Sequence, residues 1–199
     1  MESITRQLIL ASASPRRAGI LKQIGLQFQI IPSRMVEAID DESNPAELVM
    51  KLALLKAREA AGLVPEGLII GADTVVVADG KILGKPAGAV EAFEMLTQLN
   101  GKTHAVFTGV AVIEVPGEKA RTGYEKTEVT FRSATSAEIL AYIATNEPFD
   151  KAGAYGIQGR GAVFVERIHG CFYNVVGLPV NLLIRLLQEF GVNVWEREP

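Results

Sequence analysis

The chain of 199 residues is poor in the side chains on which several common kinds of site depend. It has one cysteine, Cys171, and two histidines, His104 and His169. A single cysteine excludes an internal disulfide framework and a thiolate zinc cluster, and it suits a reducing compartment. The two histidines lie far apart in sequence without the spacing of metal ligands, so core or surface positions are the simpler interpretation for both.

Long runs of one kind of residue are also missing. The lysines and arginines are scattered and the net charge is −3, which predicts no broad nucleic-acid or anionic-membrane surface. No apolar stretch reaches the roughly 18 residues of a membrane span, and the N-terminal segment lacks the basic region and apolar run of a signal peptide. These absences predict a cytoplasmic protein without a membrane or nucleic-acid partner, in which any phosphate site must be local.

Four familiar active-site motifs are absent from the sequence. There is no Gly-x-x-x-x-Gly-Lys-Ser/Thr, no Gly-x-Gly-x-x-Gly, no His-Glu-x-x-His and no Gly-x-Ser-x-Gly. P-loop, simple Rossmann, zincin and α/β-hydrolase chemistry are therefore disfavoured. The composition does provide 48% hydrophobic and 22% charged residues, which is typical of a globular chain that buries a core.

Hydrophobic patterns and turn signals predict helices mixed with a largely extended sheet of mixed direction, which is an α/β fold in one domain over residues 1–199. Asn44-Pro45 begins a helix that Gly62 ends, because Asn caps well and Pro suits the first helical position. Asp79-Gly80 is a strong hairpin signal. The other predictions are strands at 8–11, 27–31, 68–72, 75–78, 162–168 and 171–176, an antiparallel pair at 103–115 and 121–132, helices at 15–25, 89–99 and 135–145, a shaped glycine-rich loop at 150–161, and a last helix led by Pro179.

The segment Ser12-Ala13-Ser14-Pro15-Arg16-Arg17 places two arginines in the first turn of a predicted helix. Cations are unfavourable there, because the helix dipole already leaves partial positive charge at that end. The arrangement is sensible if the turn holds an anion, since backbone N–H groups, serine hydroxyls and guanidinium groups then converge on phosphate oxygens. A capped helix whose arginines pair with surface carboxylates is the alternative.

Carboxylates form a second candidate feature. Asp73 follows an apolar strand at its predicted end, where open α/β sheets form ligand crevices. An acidic loop lies upstream around Glu37. Carboxylates so placed can hold Mg²⁺ or accept a proton from an attacking water. An Asp73 that caps its own turn and a solvated acidic loop remain the alternatives.

Three lysines lie near turns or on a helix face: Lys56, Lys85 and Lys151. Most lysines only solvate a surface. Lys85 differs because it lies between Gly84 and Pro86, a restricted backbone that would aim its ammonium group toward Asp73.

The segment from Asp150 to Gly159 is rich in glycine, which allows close approach to a ligand. Within it, Gln158 offers an amide donor and acceptor suited to a base edge. A glycine-rich hairpin loop without a ligand is an equally simple interpretation.

Six segments occur in order along nearly the whole chain and together resemble the Maf family. They are Leu-Ile-Leu-Ala-Ser-Ala-Ser-Pro-Arg-Arg (8–17), Gly-Ala-Asp-Thr-Val-Val (71–76), Gly-Lys-Pro (84–86), the stretch 101–109 with His104 and Thr108, Asp-Lys-Ala-Gly-Ala-Tyr-Gly-Ile-Gln-Gly (150–159) and Asn-Val-Val-Gly-Leu-Pro (174–179). The resemblance implies a metal-dependent nucleoside triphosphate pyrophosphatase. It also implies an α/β fold with a mixed central sheet flanked by helices and two lobes around a cleft, similar to the inosine triphosphate pyrophosphatase-like (Maf/Ham1) fold.

The resemblance also implies roles for particular residues. Asp73 matches the proton acceptor, and Arg16, Thr74 and Gln158 match positions associated with nucleotide preference. Mg²⁺ or Mn²⁺ would be held by Glu37 and Asp73. The remaining matches in the family's polar cleft are Ser14, Arg17, Lys56, Lys85, Asp150 and Lys151.

From these matches we expect Asp73, Lys85, Arg16 and Arg17 to act in catalysis, by directing water onto the α-phosphorus and stabilising the phosphate charge. Ser12 and Ser14 join the substrate-binding set. The intact loop at 150–159 is similar to the dTTP/UTP branch of the family and unlike its 7-methyl-GTP branch. The resemblance further suggests house-cleaning of nucleotide pools and a possible homodimer. The alternative is a nucleotide-binding regulator of septum formation with little hydrolysis.

Overall fold

A computed structural model describes residues 6–35, 44–117 and 119–195 of the chain. Within these ranges the strands are β1 (Leu8–Leu10), β2 (Gln29–Ile30), β3 (Gly67–Ala78), β4 (Lys81–Leu83), β5 (Thr103–Val115), β6 (Ala120–Phe131) and β7 (Val165–His169). The helices are α1 (Pro15–Gln23), α2 (Pro45–Ala61), α3 (Ala89–Leu99), α4 (Ser136–Ile143), α5 (Phe172–Val176) and α6 (Val180–Gln188). Short 3-10 helices lie at Glu147–Asp150, Ala152–Ala154 and Arg160–Phe164.

One mixed sheet contains all of these strands. Its order is β2-β1-β3-β5-β6-β7, and β4 pairs with the far part of β3. β1 is parallel to β2 and β3, whereas β3, β5 and β6 form an antiparallel set. The α/β fold with a mixed central sheet and flanking helices is therefore confirmed. No helix in the described ranges combines the length and the apolar character that crossing a membrane needs.

Local signals set several boundaries as expected. The Asn44 side chain caps α2 by accepting from Ala46 N, and Gly62 ends the helix. The Asp79-Gly80 turn joins β3 to β4 in an antiparallel hairpin. Thr135 and Glu138 form a complete capping box at the start of α4. At these places the sequence pattern and the tertiary structure favour the same local conformation.

Helix α2 packs unusually close to the middle of the sheet. A Cβ atom on Gly71 of β3 would lie 2.1 Å from the carbonyl oxygen of Ala53, and one on Gly109 of β5 would lie 2.2 Å from that of Val49. Only glycine lets a helix backbone approach a strand backbone this closely. The close approach brings Lys56, on the buried side of α2, against β3.

One face of the long strand β3 packs in two hydrophobic clusters. Leu68, Ile70 and Ala72 pack in the first, with α1 and α6, whereas Val76 and Ala78 pack in the second, with α3 and α4. The polar residues Asp73 and Thr74 lie between these two stretches, near the middle of the strand.

Two sequence predictions are wrong. The segments 68–72 and 75–78 form one continuous strand, so Asp73 lies in its interior, opposite Gly109 of β5, and caps no turn. Residues 171–176 form helix α5 with Cys171 at its N-cap, and not a strand. The burial of Asn174 and Val176 and the left-handed Gly177 at φ 115° favour the helical turn over the β-propensity of the sequence.

Two further boundaries differ from the prediction. The strand expected from 162 begins at Val165, because residues 160–164 form a 3-10 turn. The glycine-rich loop at 150–161 is shaped as expected, but it contains short 3-10 helices.

Candidate active site

A cavity of about 380 Å³ opens at a gap in the sheet edge. β1 pairs with β3 only as far as Ile70, and β4 pairs with it from Val76 onward. Residues 71–75 of β3 therefore have no strand on that side within the described ranges. Because successive side chains of a strand point to opposite faces, an open edge lets one ligand reach both Asp73 and Thr74.

The structure brings the sequence-predicted site residues together at this cavity. Its lining includes Ser12, Ser14, Arg16, Arg17, Lys56, Asp73, Thr74, Lys85, Asp150, Lys151 and Gln158. Glu37, the other predicted metal ligand, lies outside the described residues. The cationic members outnumber the carboxylates in this list by five to two, in a chain whose net charge is −3. The cavity is therefore a local anion-binding environment.

Asp73 and Lys56 form the buried pair of the site. Lys56 Nζ donates to Asp73 Oδ1, and the two residues are 8% and 3% exposed. Removing one member of such a pair takes away the opposite charge that offsets the burial of the other. The pair holds the Asp73 carboxylate at the cavity wall, where it can orient a water or accept its proton.

Arg17 is held by three hydrogen bonds to the protein. Its guanidinium donates from Nε to Gly177 O at 2.8 Å, from one terminal nitrogen to Ser12 Oγ at 3.2 Å, and from the other to Thr74 Oγ1 at 3.0 Å. Ser14 caps the same helix by accepting from Arg17 N. The charge is thus fixed at the cavity before any ligand binds.

A chain of hydroxyl groups continues behind Arg17. Thr108 Oγ1 donates its only hydrogen to Asn174 O at 3.0 Å, so its 2.9 Å contact with Thr74 must be one in which Thr74 donates. Thr74 therefore gives its hydrogen to Thr108 and accepts from Arg17. Asn174 is fully buried and donates to Val106 O and Thr127 Oγ1. The directions of these hydrogen bonds are therefore fixed by the buried Asn174 carbonyl and follow from it through Thr108 and Thr74 to Arg17.

The opposite side of the cavity is formed by the loop after α4. Asp150 accepts from Arg16 at 2.9 Å and from Lys151 at 2.6 Å. Partial burial raises the pKa of Asp150, but the hydrogen bonds from Lys151 and Arg16 outweigh this and hold the pKa below its usual range. Arg16 therefore joins the first turn of α1 to this loop across the cavity.

Lys85 and Gln158 lie at the exposed rim of the cavity. Gly153 N donates to Gly84 O at 2.9 Å, which ties the β4 hairpin to the loop and keeps Lys85 beside it. Gly153 has φ 66°, and a Cβ there would lie 2.9 Å from Val76. The loop conformation at this position therefore requires glycine.

The side chains available as ligands decide whether the site can hold a metal ion. Residues 6–35, 44–117 and 119–195 contain no group of three or more His, Cys, Asp or Glu side chains able to hold one. Asp73 contributes one buried carboxylate. Mg²⁺ is commonly bound through one or two carboxylates together with substrate phosphates, so this donor set fits an ion that binds with the substrate.

Sequence reasoning did not assign a role to Thr108 or Asn174. Both lie in motifs of the family resemblance, but their function follows from strand register, since Thr108 stands opposite Thr74 across β3 and β5. The pairing of β3 with β5 was not predicted from the sequence, so no signal placed Thr108 beside Thr74. The partnership of Lys56 with Asp73 depends on how α2 docks and had no signal in the sequence.

Fold and site together define an α/β protein with a cationic cleft built for a phosphate-bearing ligand. The family model described as "Maf-like protein" matches residues 7–190, and the chain belongs to this family.

Named relatives match nearly the whole length of the chain. A "dTTP/UTP pyrophosphatase" of Bacillus cereus is 51% identical over 95% of this chain and 98% of its own length. Another protein of that name, from Caldicellulosiruptor bescii, is 50% identical over 97% of this chain and 99% of its own. The structure of the Staphylococcus aureus Ham1 protein superposes with a TM-score of 0.48 at 15% identity, over 93% of this chain and 100% of that one.

Proposed function

We propose that this protein hydrolyses nucleoside triphosphates, preferentially dTTP and UTP, to the monophosphate and pyrophosphate. The observation that carries the proposal is the buried Asp73–Lys56 pair at the wall of a cationic cavity. Phosphate binding alone requires cations, whereas a buried carboxylate among them supplies a base. The full-length relatives named dTTP/UTP pyrophosphatase support the same reaction and substrates.

The chain's own residues divide the chemistry between them. Asp73 orients the attacking water in line with the α-phosphorus and accepts its proton. Arg17, fixed by its three hydrogen bonds, and Lys56 stabilise the charge on the phosphoryl group. Arg16 and Lys85 serve the departing pyrophosphate, while Ser12, Ser14, Asp150 and Lys151 complete the polar surroundings of the substrate.

A divalent ion, Mg²⁺ or Mn²⁺, fits this site. Asp73 would hold it together with phosphate oxygens, and Glu37 is the proposed second carboxylate. When bound, such an ion neutralises phosphate charge and polarises the phosphorus toward attack.

Thr74 and Gln158 are the proposed base-selecting residues. Because the Thr74 hydrogen is directed to Thr108, Thr74 presents only an acceptor to a ligand. The ring N–H of uracil and thymine is a donor, whereas cytosine has a lone pair at that position. A site with a fixed acceptor there rejects cytosine, since two buried acceptors would face each other.

Other parts of the proposal extend beyond the site. We place the protein in the cytoplasm as a single domain and a homodimer, where it removes unwanted pyrimidine nucleotides, including modified ones. Nucleic acid and membranes are not among its proposed partners.

The test is pyrophosphate release from dTTP, UTP, CTP, dATP, GTP and 7-methyl-GTP, with Mg²⁺ or Mn²⁺ and after chelation. We expect selective, metal-dependent cleavage of dTTP and UTP. Equal use of UTP and CTP would contradict the base selection. No turnover of any of these nucleotides would reject the enzymatic proposal and favour a nucleotide-binding regulator.

A further inference from the structure

The loop at 151–159 carries Gln158 to the cavity, but little holds that side chain itself. Gln158 is exposed and has no hydrogen-bond partner among the described residues. Its position therefore depends on the backbone of the loop. The loop leaves the 3-10 turn at Glu147–Asp150 and returns at the one at Arg160–Phe164.

The carboxylate of Glu147 closes this loop at its base. Its Oε1 accepts from Gly161 N at 3.0 Å and from the Tyr142 hydroxyl at 3.1 Å, and its Oε2 accepts from Arg160 N at 2.9 Å. Its backbone carbonyl accepts from Lys151 Nζ at 2.6 Å. One residue before the loop thus contacts Lys151 at its start and Arg160, 13 positions further along the chain, just after its end.

The turn next to Gln158 is shaped around the same carboxylate. Gly159 has φ 82°, and a Cβ on it would lie 2.9 Å from Glu147 Oε2. The turn therefore requires glycine both for its backbone angle and for the space that the carboxylate occupies. Burial raises the pKa of Glu147, but the backbone donors of Arg160 and Gly161 outweigh this and lower it overall, as expected for a carboxylate that accepts several hydrogen bonds.

We propose that Glu147 is a positioning residue for base selection, which closes the loop at 151–159 and so sets the Gln158 amide against the nucleobase. This rests on the proposed function. Glu147 does not line the cavity and has no contact with the reacting atoms. Its influence passes through the backbone of residues 159–161.

The chemistry of the carboxylate explains why an amide cannot replace it. Two acceptor oxygens receive donors from Arg160, Gly161 and Tyr142. A glutamine offers one oxygen and points its own N–H₂ group at a donor, so at least one of these hydrogen bonds is lost. The loop then samples positions in which Gln158 no longer meets the base.

The experiment compares Glu147→Gln with Glu94→Gln, an exposed glutamate on α3 far from the cavity lining. The ratio of kcat/KM for UTP to that for CTP is measured for both variants and the unsubstituted protein. We expect Glu147→Gln to lower this ratio at least about tenfold, mainly through KM for UTP, with kcat changed less than about threefold. Glu94→Gln should leave both parameters unchanged.

A double variant separates positioning from a general structural effect. If Glu147 acts through Gln158, then Glu147→Gln should not lower the ratio further in a Gln158→Ala background. An equal fall in that background, an unchanged ratio, or a fall in kcat for both nucleotides without a change of ratio would each overturn the proposal.

If circular dichroism shows that Glu147→Gln does not fold, a second variant tests the proposal instead. Tyr142→Phe removes only one of the three donors and should lower the same ratio by a smaller factor; an unchanged ratio would then overturn the proposal. Absence of UTP turnover or of UTP preference in the unsubstituted protein would instead reject the proposed function, so the two failures are distinguishable.

Discussion

The two walls of the cavity are built in different ways. The strand wall consists of Arg17, Lys56, Asp73 and Thr74, which lie on helices and on β3 and are buried or half-buried. The loop wall consists of Asp150, at the end of a 3-10 turn, and Lys151 and Gln158, on irregular backbone, with Asp150 and Gln158 exposed.

Function and stability therefore depend on the same contacts in the strand wall but on different ones in the loop wall. Substitutions in the strand wall should change activity and the free energy of unfolding together. Those in the loop wall should change substrate binding and leave stability almost untouched.

The largest effect should follow substitution of the proposed base in the strand wall. Asp73→Asn should lower kcat by about 10² to 10⁴, because the water loses its proton acceptor. It should also lower the free energy of unfolding by about 3–5 kcal/mol, because buried Lys56 loses the carboxylate to which it donates. Pyrophosphate release and urea unfolding measure the two effects.

A double variant separates those two effects. Replacing the pair together, as Asp73→Asn with Lys56→Met, removes the buried cation as well as the carboxylate that it faced and should recover part of the lost stability. Activity should stay low. If the double variant regained activity along with stability, then Asp73 would contribute through folding alone.

The strand wall also shows what could be predicted from the sequence. Local signals placed the ends of α2 at Asn44 and Gly62, because caps depend on neighbours in sequence. The position of Asp73 inside a strand was missed, because the gap between β1 and β4 arises from strand pairing. The pairing of Lys56 with Asp73 was missed because it depends on how α2 docks against the sheet.

The residues of the loop wall could be predicted from the sequence, but the contacts that shape the loop could not. The glycines of 150–159 predicted a shaped loop, and its residues do line the cavity. The role of Glu147 as the acceptor that closes the loop depends on two residues 13 and 14 positions later, a separation at which sequence patterns carry no signal.

The next largest loss of stability should follow a substitution where α2 approaches the sheet closely, behind the strand wall. Gly109→Ala places a Cβ 2.2 Å from Val49 O, so α2 must move and carry Lys56 away from Asp73. We expect a loss of about 3 kcal/mol in unfolding free energy, as for other overpacked sites. Activity should fall with it.

Gly19→Ala is the matched control for that substitution. Gly19 lies in α1 with nothing within 4 Å of an added Cβ, so alanine should raise stability by about 0.4–1 kcal/mol. Equal melting temperatures for the two alanine variants would show that α2 tolerates the shift.

A smaller effect should come from the hydroxyl chain behind Arg17. Thr108→Val keeps the shape but removes the acceptor of Thr74 and the donor to Asn174 O, and it should cost about 1–3 kcal/mol in unfolding free energy. Thr74 is then free to rotate and weakens one of the three hydrogen bonds that hold Arg17, so kcat for UTP should fall, by about tenfold at most. Thr108→Ser keeps the hydroxyl and should restore kcat. A serine variant as slow as the valine variant would show that the methyl group matters instead.

The smallest stability effect should come from the loop wall. The Arg16–Asp150 pair spans the cavity, but its side chains are 26% and 60% exposed, and exposed pairs contribute about 0–1 kcal/mol. Asp150→Asn should therefore lower the unfolding free energy by less than about 1 kcal/mol, and KM for UTP should rise. Because the pKa of Asp150 is depressed in the folded protein, the pair's contribution is present at neutral pH and is lost as the pH falls through that depressed value. In urea unfolding, the difference between the two proteins should thus be largest at neutral pH and should shrink as the pH is lowered through the acidic range. A loss as large as that of Asp73→Asn would mean that the two walls are stabilised alike and would break the distinction between them.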